Sequence, residues 1–284
     1  IENTVVKTAL PSVQDKEEAF YTFPFKAEDG YEIRYDLSAG NAAEGEQVYG
    51  TSTDWYTAGK WVNVQDTDGY NMTLAIPDTS LLQFGERRTG NWSFDYKSEN
   101  PYIYSYVMNN MWQTNFQGDQ PGKVTFTYAI STNTGEGMSD TARFGWEVSY
   151  PLQAAVINGA QEGTAGTTDS YLAIDNKNVQ LTTMKTAEAN GEGMILRFHE
   201  IGGSETGKVT VTLPFQVQSV TETNVIEEDK RQAAGAGNSF TFELGAYGVK
   251  TFRILFAEAP AKVEGLTAVT TPESLLRNLS LSAV

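Results

Sequence analysis

Cysteine is absent from the 284-residue chain. Its absence excludes disulfide bonds, thiolate nucleophiles and cysteine-ligated metal sites together. No apolar run is long enough to cross a membrane, and no basic segment followed by an apolar segment opens the chain. The first residue is Ile1 and not Met, so we expect a mature form or a fragment of a longer protein. We favour a bacterial periplasmic or secreted location over a cytoplasmic one.

Histidine occurs once, at His199. Zinc hydrolases, Ser-His-Asp hydrolases and sugar mutarotases commonly use histidine as a ligand or base, so one histidine counts against all three classes. The segment Met194–Ile201 places His199 in alternation with Ile195 and Arg197, which is the pattern of a strand. We therefore expect a structural imidazole on a sheet face, with no catalytic residue and no metal ligand in this chain.

Positive charge is also scarce, with 20 Lys and Arg against 36 Asp and Glu, which gives a net charge of −16. Such a field repels polyanions. The composition therefore disfavours nucleic acid as a partner, and it disfavours an anionic membrane surface for the same reason.

Alternation of apolar and polar residues, with a period of two, runs through most of the chain. It is clear in Tyr31–Leu37, Lys208–Val217 and Ser239–Gly245, whereas Val249–Phe256 is more apolar and resembles a central strand. Clusters of Gly, Asn and Asp separate these runs. The sequence predicts an all-β fold, a large antiparallel β-sandwich or supersandwich of the galactose-mutarotase type.

Domain organisation follows from the breaks in this pattern. We expect residues 1–256 to form one β-sandwich domain of two lobes, joined by a Gly- and Thr-rich connection near 151–170, with 257–284 as an extension or small subdomain. Short helical turns are expected at Lys16–Phe20 and Pro272–Arg277. The middle of the chain shows no sustained helical stripe.

The segment "NNMWQTNFQGDQ" (109–120) joins two predicted strands, and it is longer than a hairpin connection needs to be. Amides exchange hydrogen bonds with vicinal hydroxyls, and an indole stacks on a sugar ring. These groups could equally tie down the loop's own backbone and plug the core. The candidate contact residues of this segment are Asn109, Asn110, Trp112, Thr114, Asn115 and Gln117.

A second aromatic cluster contains Trp55, Tyr56 and Trp61. Trp61 is expected to point into the core, while Trp55 and Tyr56 remain candidates for carbohydrate or domain contact. The nearby "QDTDGYN" (65–71) starts like a calcium loop, but Pro77 stands where the closing Glu should be, so it is interpreted as a hairpin turn.

Several blocks, taken in order, resemble the C-terminal β-domain of glycoside hydrolase family 38, the retaining α-mannosidases. The string Asn-Asn-x-Trp-x-Thr-Asn-Phe is the most specific of them. The resemblance covers roughly residues 20–256 and is carried by 23–25, 52–86, 106–130, 194–200, 209–229 and 242–256.

This resemblance implies a non-catalytic region. In the family, a separate catalytic barrel holds the zinc ligands and the aspartate nucleophile, so zinc is expected there and no cofactor is expected in this chain. The implied partners are that barrel in the same polypeptide and a mannose-containing glycan, with segment 109–120 facing the barrel and Asn110 and Asn115 partly exposed in the isolated chain. Glu200 and Glu222 are expected to bond loop amides. The alternative is a free-standing carbohydrate-binding or mutarotase-like β-sandwich.

Overall fold

The computed structural model describes residues 1–8, 17–28, 30–91, 93–110, 121–132, 137–154, 168, 170–188 and 193–257. Within these ranges the chain forms twenty strands in five sheets and one helix. Every strand pairing within these sheets is antiparallel. The prediction of an all-β sandwich fold built from antiparallel sheets is confirmed.

Three sheets lie in the first half of the chain. The first pairs β1 (Glu2–Lys7) with β10 (Gly122–Thr127). The second has the order β2 (Glu18–Pro24), β9 (Tyr102–Asn109), β8 (Leu81–Phe84), β5 (Tyr56–Thr57). The third has the order β11 (Ala129–Thr132), β7 (Asn71–Ala75), β6 (Trp61–Gln65), β3 (Glu32–Leu37), β4 (Gly40–Ala43).

The first hydrophobic core consists of side chains from these three sheets. Strand β3 shows how the sequence specifies it, because Ile33 and Tyr35 are buried while their neighbours are not. Tyr56 lies with Tyr35 and Phe84 in the same cluster, and Tyr128 joins it from the segment after β10. Burial of these large rings provides much of the hydrophobic stabilisation of this half.

Two further sheets lie in the second half. One has the order β12 (Ala173–Ile174), β15 (Val209–Thr212), β19 (Ser239–Phe242), β18 (Gly235–Ala236). The other has the order β13 (Val179–Thr186), β14 (Met194–Glu200), β20 (Val249–Phe256), β16 (Val217–Thr223), β17 (Asp229–Gln232). Phe198, Phe242 and Phe252 meet in their common core, with ring centroids 4.9 and 5.0 Å from Phe242.

The helix α1 (Met138–Ser149) was not predicted from the sequence. Its buried residues are Ser139, Thr141, Ala142 and Gly145, which are small or polar, so they leave no hydrophobic stripe to detect. Gly145 has no side chain, and this lets α1 approach β6 so closely that a Cβ there would lie 2.6 Å from Cδ1 of Trp61. A third cluster, Trp61, Ala142 and Ile201, thereby links the two halves through α1.

The remaining expectations have mixed outcomes. The helical turn predicted at Lys16–Phe20 is wrong over its described part, because Glu18–Pro24 is strand β2. The turn at Asp66–Gly69 is confirmed, since Oδ1 of Asp66 accepts hydrogen bonds from the N–H groups of Asp68 and Tyr70.

Most of 151–170 and nearly all of 257–284 lie outside the described residues, so the domain division stays a prediction. Among the described residues, no helix is long and apolar enough to span a bilayer.

Candidate functional site

The end of strand β9 carries the first two residues of the predicted contact segment. Asn110 is buried, with 5% of its surface exposed. Its Oδ1 atom accepts a hydrogen bond of 2.5 Å from the Glu17 N–H, and its own N–H donates to the Glu17 carbonyl at 3.1 Å. The expectation that Asn110 is partly exposed is therefore wrong, because its side chain is buried and hydrogen-bonded to the backbone of Glu17, directly before β2.

Asn109 is half-buried at the last position of β9. The remaining predicted contact residues lie outside the described residues, and their role stays a prediction: Trp112, Thr114, Asn115 and Gln117.

The aromatic pair Trp55 and Tyr56 divides between surface and core. Tyr56 is 1% exposed and packs 4.4 Å from the Phe84 ring and 5.3 Å from the Tyr35 ring, so it cannot contact a ligand or another domain at the surface. Trp55 is half-buried, and its ring lies 4.8 Å from that of Tyr106 in β9. The fold therefore brings Trp55 alongside the strand that ends at Asn109, an association the sequence did not reveal.

Two acidic residues singled out in the sequence have structural partners. Glu200 is fully buried, and its carboxylate accepts hydrogen bonds of 2.7 to 3.2 Å from four backbone N–H groups. Glu222 accepts two bonds, of 3.0 and 2.8 Å, from the Arg231 guanidinium. None of these partners lies in segment 109–120, so the expected bonding of Glu200 or Glu222 to the amides of that segment stays a prediction. The donors to Glu200 are Gly202, Gly203, Ser204 and Tyr247.

A cavity of about 110 Å³ lies where β3, β6, α1 and β14 approach one another. We call it the junction cavity. Its chemically active lining residues are Asp36, Lys60, Trp61, Trp146, His199 and Tyr247. Apart from the neighbours Lys60 and Trp61, they come from separate segments of the chain, so no local sequence motif identifies the site.

Asp36 is the acidic group of the junction cavity. Its Oδ2 atom accepts a hydrogen bond of 2.7 Å from the Lys60 backbone N–H. A Cβ at Gly59 would collide with the same carboxyl group, so glycine is needed there. Loss of hydration on burial raises the pKa of Asp36 to about 6, although the Lys60 hydrogen bond and charge oppose the rise.

Lys60 supplies the cationic group. Its Nζ atom lies 4.5 Å from the centroid of the Trp146 ring, a cation–π contact. The Trp146 ring also stacks on Tyr150, with centroids 4.8 Å apart. These contacts hold the ammonium group beside α1.

His199 lines the cavity from the end of β14, where it pairs with Val249 of β20. Loss of hydration lowers its pKa, against the effects of the Glu200 charge and of a hydrogen bond to the Tyr247 backbone, so the imidazole is neutral at pH 7. Its Nε2 atom is buried and has no hydrogen-bond partner among the described residues. The same holds for Nε1 of Trp61, a residue only 2% exposed.

Tyr247 forms one wall of the cavity and holds the two halves of the chain together. Its backbone has a φ of 54°, a left-handed conformation that costs free energy in a bulky residue. Its N–H donates to Glu200 at 2.9 Å, and its hydroxyl accepts a bond of 2.8 Å from Asn41 in β4. The strained backbone is thus fixed by contacts to both sandwiches.

Metal binding has no candidate in the part of the chain that is described. No group of three or more His, Asp or Glu side chains there is placed to hold an ion.

A family model matches the part of the chain that forms the second sandwich. Residues 178–252 match the family model described as the glycosyl hydrolases family 38 C-terminal beta sandwich domain. The resemblance to glycoside hydrolase family 38 is confirmed. The matched stretch runs from just before β13 into β20 and includes His199, Glu200 and Tyr247. No curated protein matches the chain.

Solved structures extend the likeness to the fold of most of the chain. An alpha-mannosidase from Enterococcus faecalis V583 superposes with a TM-score of 0.62 at 16% identity, covering 83% of this chain and 25% of that protein. A protein in the glycosyl hydrolase family 38 from Enterococcus faecalis gives 0.61 at 15% identity, covering 83% and 26%. The chain therefore spans about a quarter of the length of these two solved structures.

Proposed function

We propose that this chain is the non-catalytic C-terminal β region of a family 38 α-mannosidase, in which it supports a catalytic barrel of the same polypeptide. The match of residues 178–252 to the family's C-terminal sandwich carries this proposal. The fold of the first sandwich supports it, because the superposition on two long family 38 structures covers most of the chain.

The roles of the buried carboxylates agree with a supporting function. A retaining glycosidase needs two carboxyl groups about 5 Å apart, one of them free to attack the sugar. Glu200 is saturated by backbone donors, and Glu222 is neutralised by Arg231. Both carboxylates are held by partners within this chain, which agrees with a role in stabilising the fold.

Zinc chemistry would then belong to the barrel. A zinc site needs three or four nitrogen, oxygen or sulfur ligands in tetrahedral array, and the described residues offer no such group. No step of the reaction is assigned to zinc in this chain.

The surface beside the end of β9 is our candidate for contact with the barrel. It combines the half-buried Trp55 ring, packed on Tyr106, with the half-buried Asn109. Aromatic rings with neutral amides suit both a domain interface and the rim of a sugar site. Any contact with a mannose-containing glycan would be made by this surface and by segment 111–120.

An activity assay of the purified chain tests the proposal. We expect no hydrolysis of 4-nitrophenyl α-D-mannopyranoside, with or without added zinc, while a known α-mannosidase in the same buffer is active. Hydrolysis without zinc, abolished by Glu222→Gln but retained in Glu205→Gln, would contradict it, because it would place a catalytic carboxylate in this chain.

A further inference from the structure

We propose that two loops of the first sandwich form a docking surface for the catalytic barrel of the same polypeptide. The first loop consists of residues 44–55, between β4 and β5, and the second of residues 85–91 and 93–98, between β8 and β9. We call them the paired loops. This inference rests on the function proposed above and deepens it, because it names a surface that the barrel covers.

The paired loops expose large apolar side chains to solvent. Tyr49 is 101% exposed, Val48 is 83% exposed and Phe94 is 67% exposed. In this position the side chains add no hydrophobic stabilisation to the chain alone. Single apolar residues scattered over a surface are ordinary, but aromatic side chains grouped on two bonded loops are typical of a protein interface. They carry no charge, so the surface that fits them is apolar.

Hydrogen bonds join the two loops close to one of these side chains. The Thr53 N–H donates to the Ser93 carbonyl at 3.0 Å, and Oγ1 of Thr53 accepts a bond of 3.1 Å from the Tyr96 N–H. Phe94 lies between these two bonded positions in the sequence. The backbone that carries Phe94 is therefore fixed against the first loop.

Asp54 fastens the paired loops from inside. It is 2% exposed, and its carboxylate accepts hydrogen bonds from the Ser93 N–H at 3.0 Å and from Nε of Arg88 at 3.1 Å. The Arg88 guanidinium also lies over the Tyr96 ring, 3.9 Å from its centroid. A buried ion pair adds little net stability and can instead fix one geometry. The loops are thus ordered before docking, so docking loses little further conformational freedom.

The first loop is continuous with the surface beside the end of β9. The Thr51 N–H closes a turn on the Val48 carbonyl at 3.0 Å, and Nε2 of Gln47 donates to the Trp55 carbonyl at 3.1 Å. The Trp55 ring in turn packs on a tyrosine of β9. The exposed turn therefore extends the surface that is our candidate for contact with the barrel.

The charge of the chain and the size of the related structures favour the barrel over other partners. A net charge of −16 repels a second copy of the chain and an anionic membrane. A domain of the same polypeptide is held close by the covalent link, so a small apolar surface suffices for docking. The chain covers 25% and 26% of the two Enterococcus faecalis structures, which leaves about three quarters of each for other domains.

Hydroxyl-radical footprinting tests the proposal without any substitution. Oxidation of each aromatic side chain is measured by mass spectrometry in the 284-residue chain and in the whole product of the gene that encodes it. In the whole product, Tyr49 and Phe94 should be oxidised at least about tenfold more slowly, which corresponds to about 1.4 kcal/mol for exposing the surface. Tyr171, which is 49% exposed in the second half of the chain, is the control and should be oxidised at the same rate in both.

Equal oxidation of Tyr49 and Phe94 in the two proteins would overturn the proposal. A slowing at Tyr171 as large as theirs would overturn it as well, because the protection would then not be specific to the paired loops.

A double variant, Tyr49→Ser with Phe94→Ser, provides a second readout. Both side chains are exposed in the 284-residue chain, so its melting temperature should change little. The melting temperature of the whole product should fall by about 2 °C or more, because docking contacts are lost. An unchanged melting temperature of the whole product would contradict docking through these side chains.

The zinc-dependent α-mannosidase activity of the unmodified whole product separates this inference from the proposed function. An active product with unprotected loops would overturn the docking surface alone. An inactive product would overturn the proposed function, and the docking surface with it.

Discussion

Asp36→Asn should make the protein more stable at neutral pH, although it removes a charged group beside a lysine. The wild-type carboxyl is pressed against Gly59, and its hydration is largely lost. Asparagine has nearly the same shape and keeps one oxygen to accept the 2.7 Å bond from the Lys60 N–H. The substitution therefore removes the ionisation and little else.

The size and sign of the effect follow from the pKa shift. The pKa of Asp36 rises from 3.8 in the unfolded chain to about 6 in the folded one, a difference of about 2 units, or about 3 kcal/mol at 1.36 kcal/mol per unit. The folded state binds the Asp36 proton more tightly, so the contribution of Asp36 to the free energy of unfolding is most favourable below pH 4 and declines as the pH rises from 4 to 6. Above pH 6, the ionised Asp36 costs the wild type about 3 kcal/mol that Asp36→Asn does not lose.

Urea unfolding followed by tryptophan fluorescence at several pH values between 4 and 8 measures this difference. The stability of Asp36→Asn minus that of the wild type should grow with pH up to about 6.5 and then level off, since all other ionisations are common to both proteins. Asp68→Asn should show no such trend. A flat difference for Asp36→Asn would mean that the carboxyl is hydrated in the folded state, and it would refute the reasoning.

Two further substitutions test the hydrogen bonds of Glu200 and the close approach of α1 to β6. Glu200→Ala removes the buried carboxylate that accepts hydrogen bonds from four backbone N–H groups and should destabilise the fold by about 3 kcal/mol in urea unfolding, whereas exposed Glu205→Ala should change it little; equal effects would contradict the structural role of Glu200. Gly145→Leu should drive α1 away from Trp61 and lower the melting temperature through overpacking, despite the better helix propensity of leucine; a raised melting temperature would show that the close approach is not needed.

The sheets were predictable because their signal is local. Alternation in Tyr31–Leu37 marks β3, and the burial of Ile33 and Tyr35 follows from it. The inward position of Trp61 was also predicted correctly, since a large ring between apolar neighbours in a strand is usually buried.

The helix and the junction cavity were not predictable, for two different physical reasons. Helix α1 packs through small residues, so its buried face lacks the apolar period that identifies a helix. The cavity assembles Asp36, Trp146 and His199 from separate sandwiches and the helix between them, and sequence patterns do not report contacts at that separation.

The Asn110 amide shows a third limit of sequence reasoning. An asparagine in a long loop can bind a ligand or tie down its own chain, and the same residue type serves both roles. In this fold it binds the Glu17 backbone, a partner 93 residues away in sequence, so only the fold could decide between the two.

The most direct test of the central claim is the α-mannosidase activity of the whole product of the gene that encodes this chain. The full product should hydrolyse 4-nitrophenyl α-D-mannopyranoside in a zinc-dependent manner, and deletion of the region equivalent to residues 1–257 should abolish that activity, while the 284-residue chain alone remains inactive. Full activity after the deletion would contradict a supporting role for this region. A full product without zinc-dependent α-mannosidase activity would contradict its assignment to a family 38 enzyme.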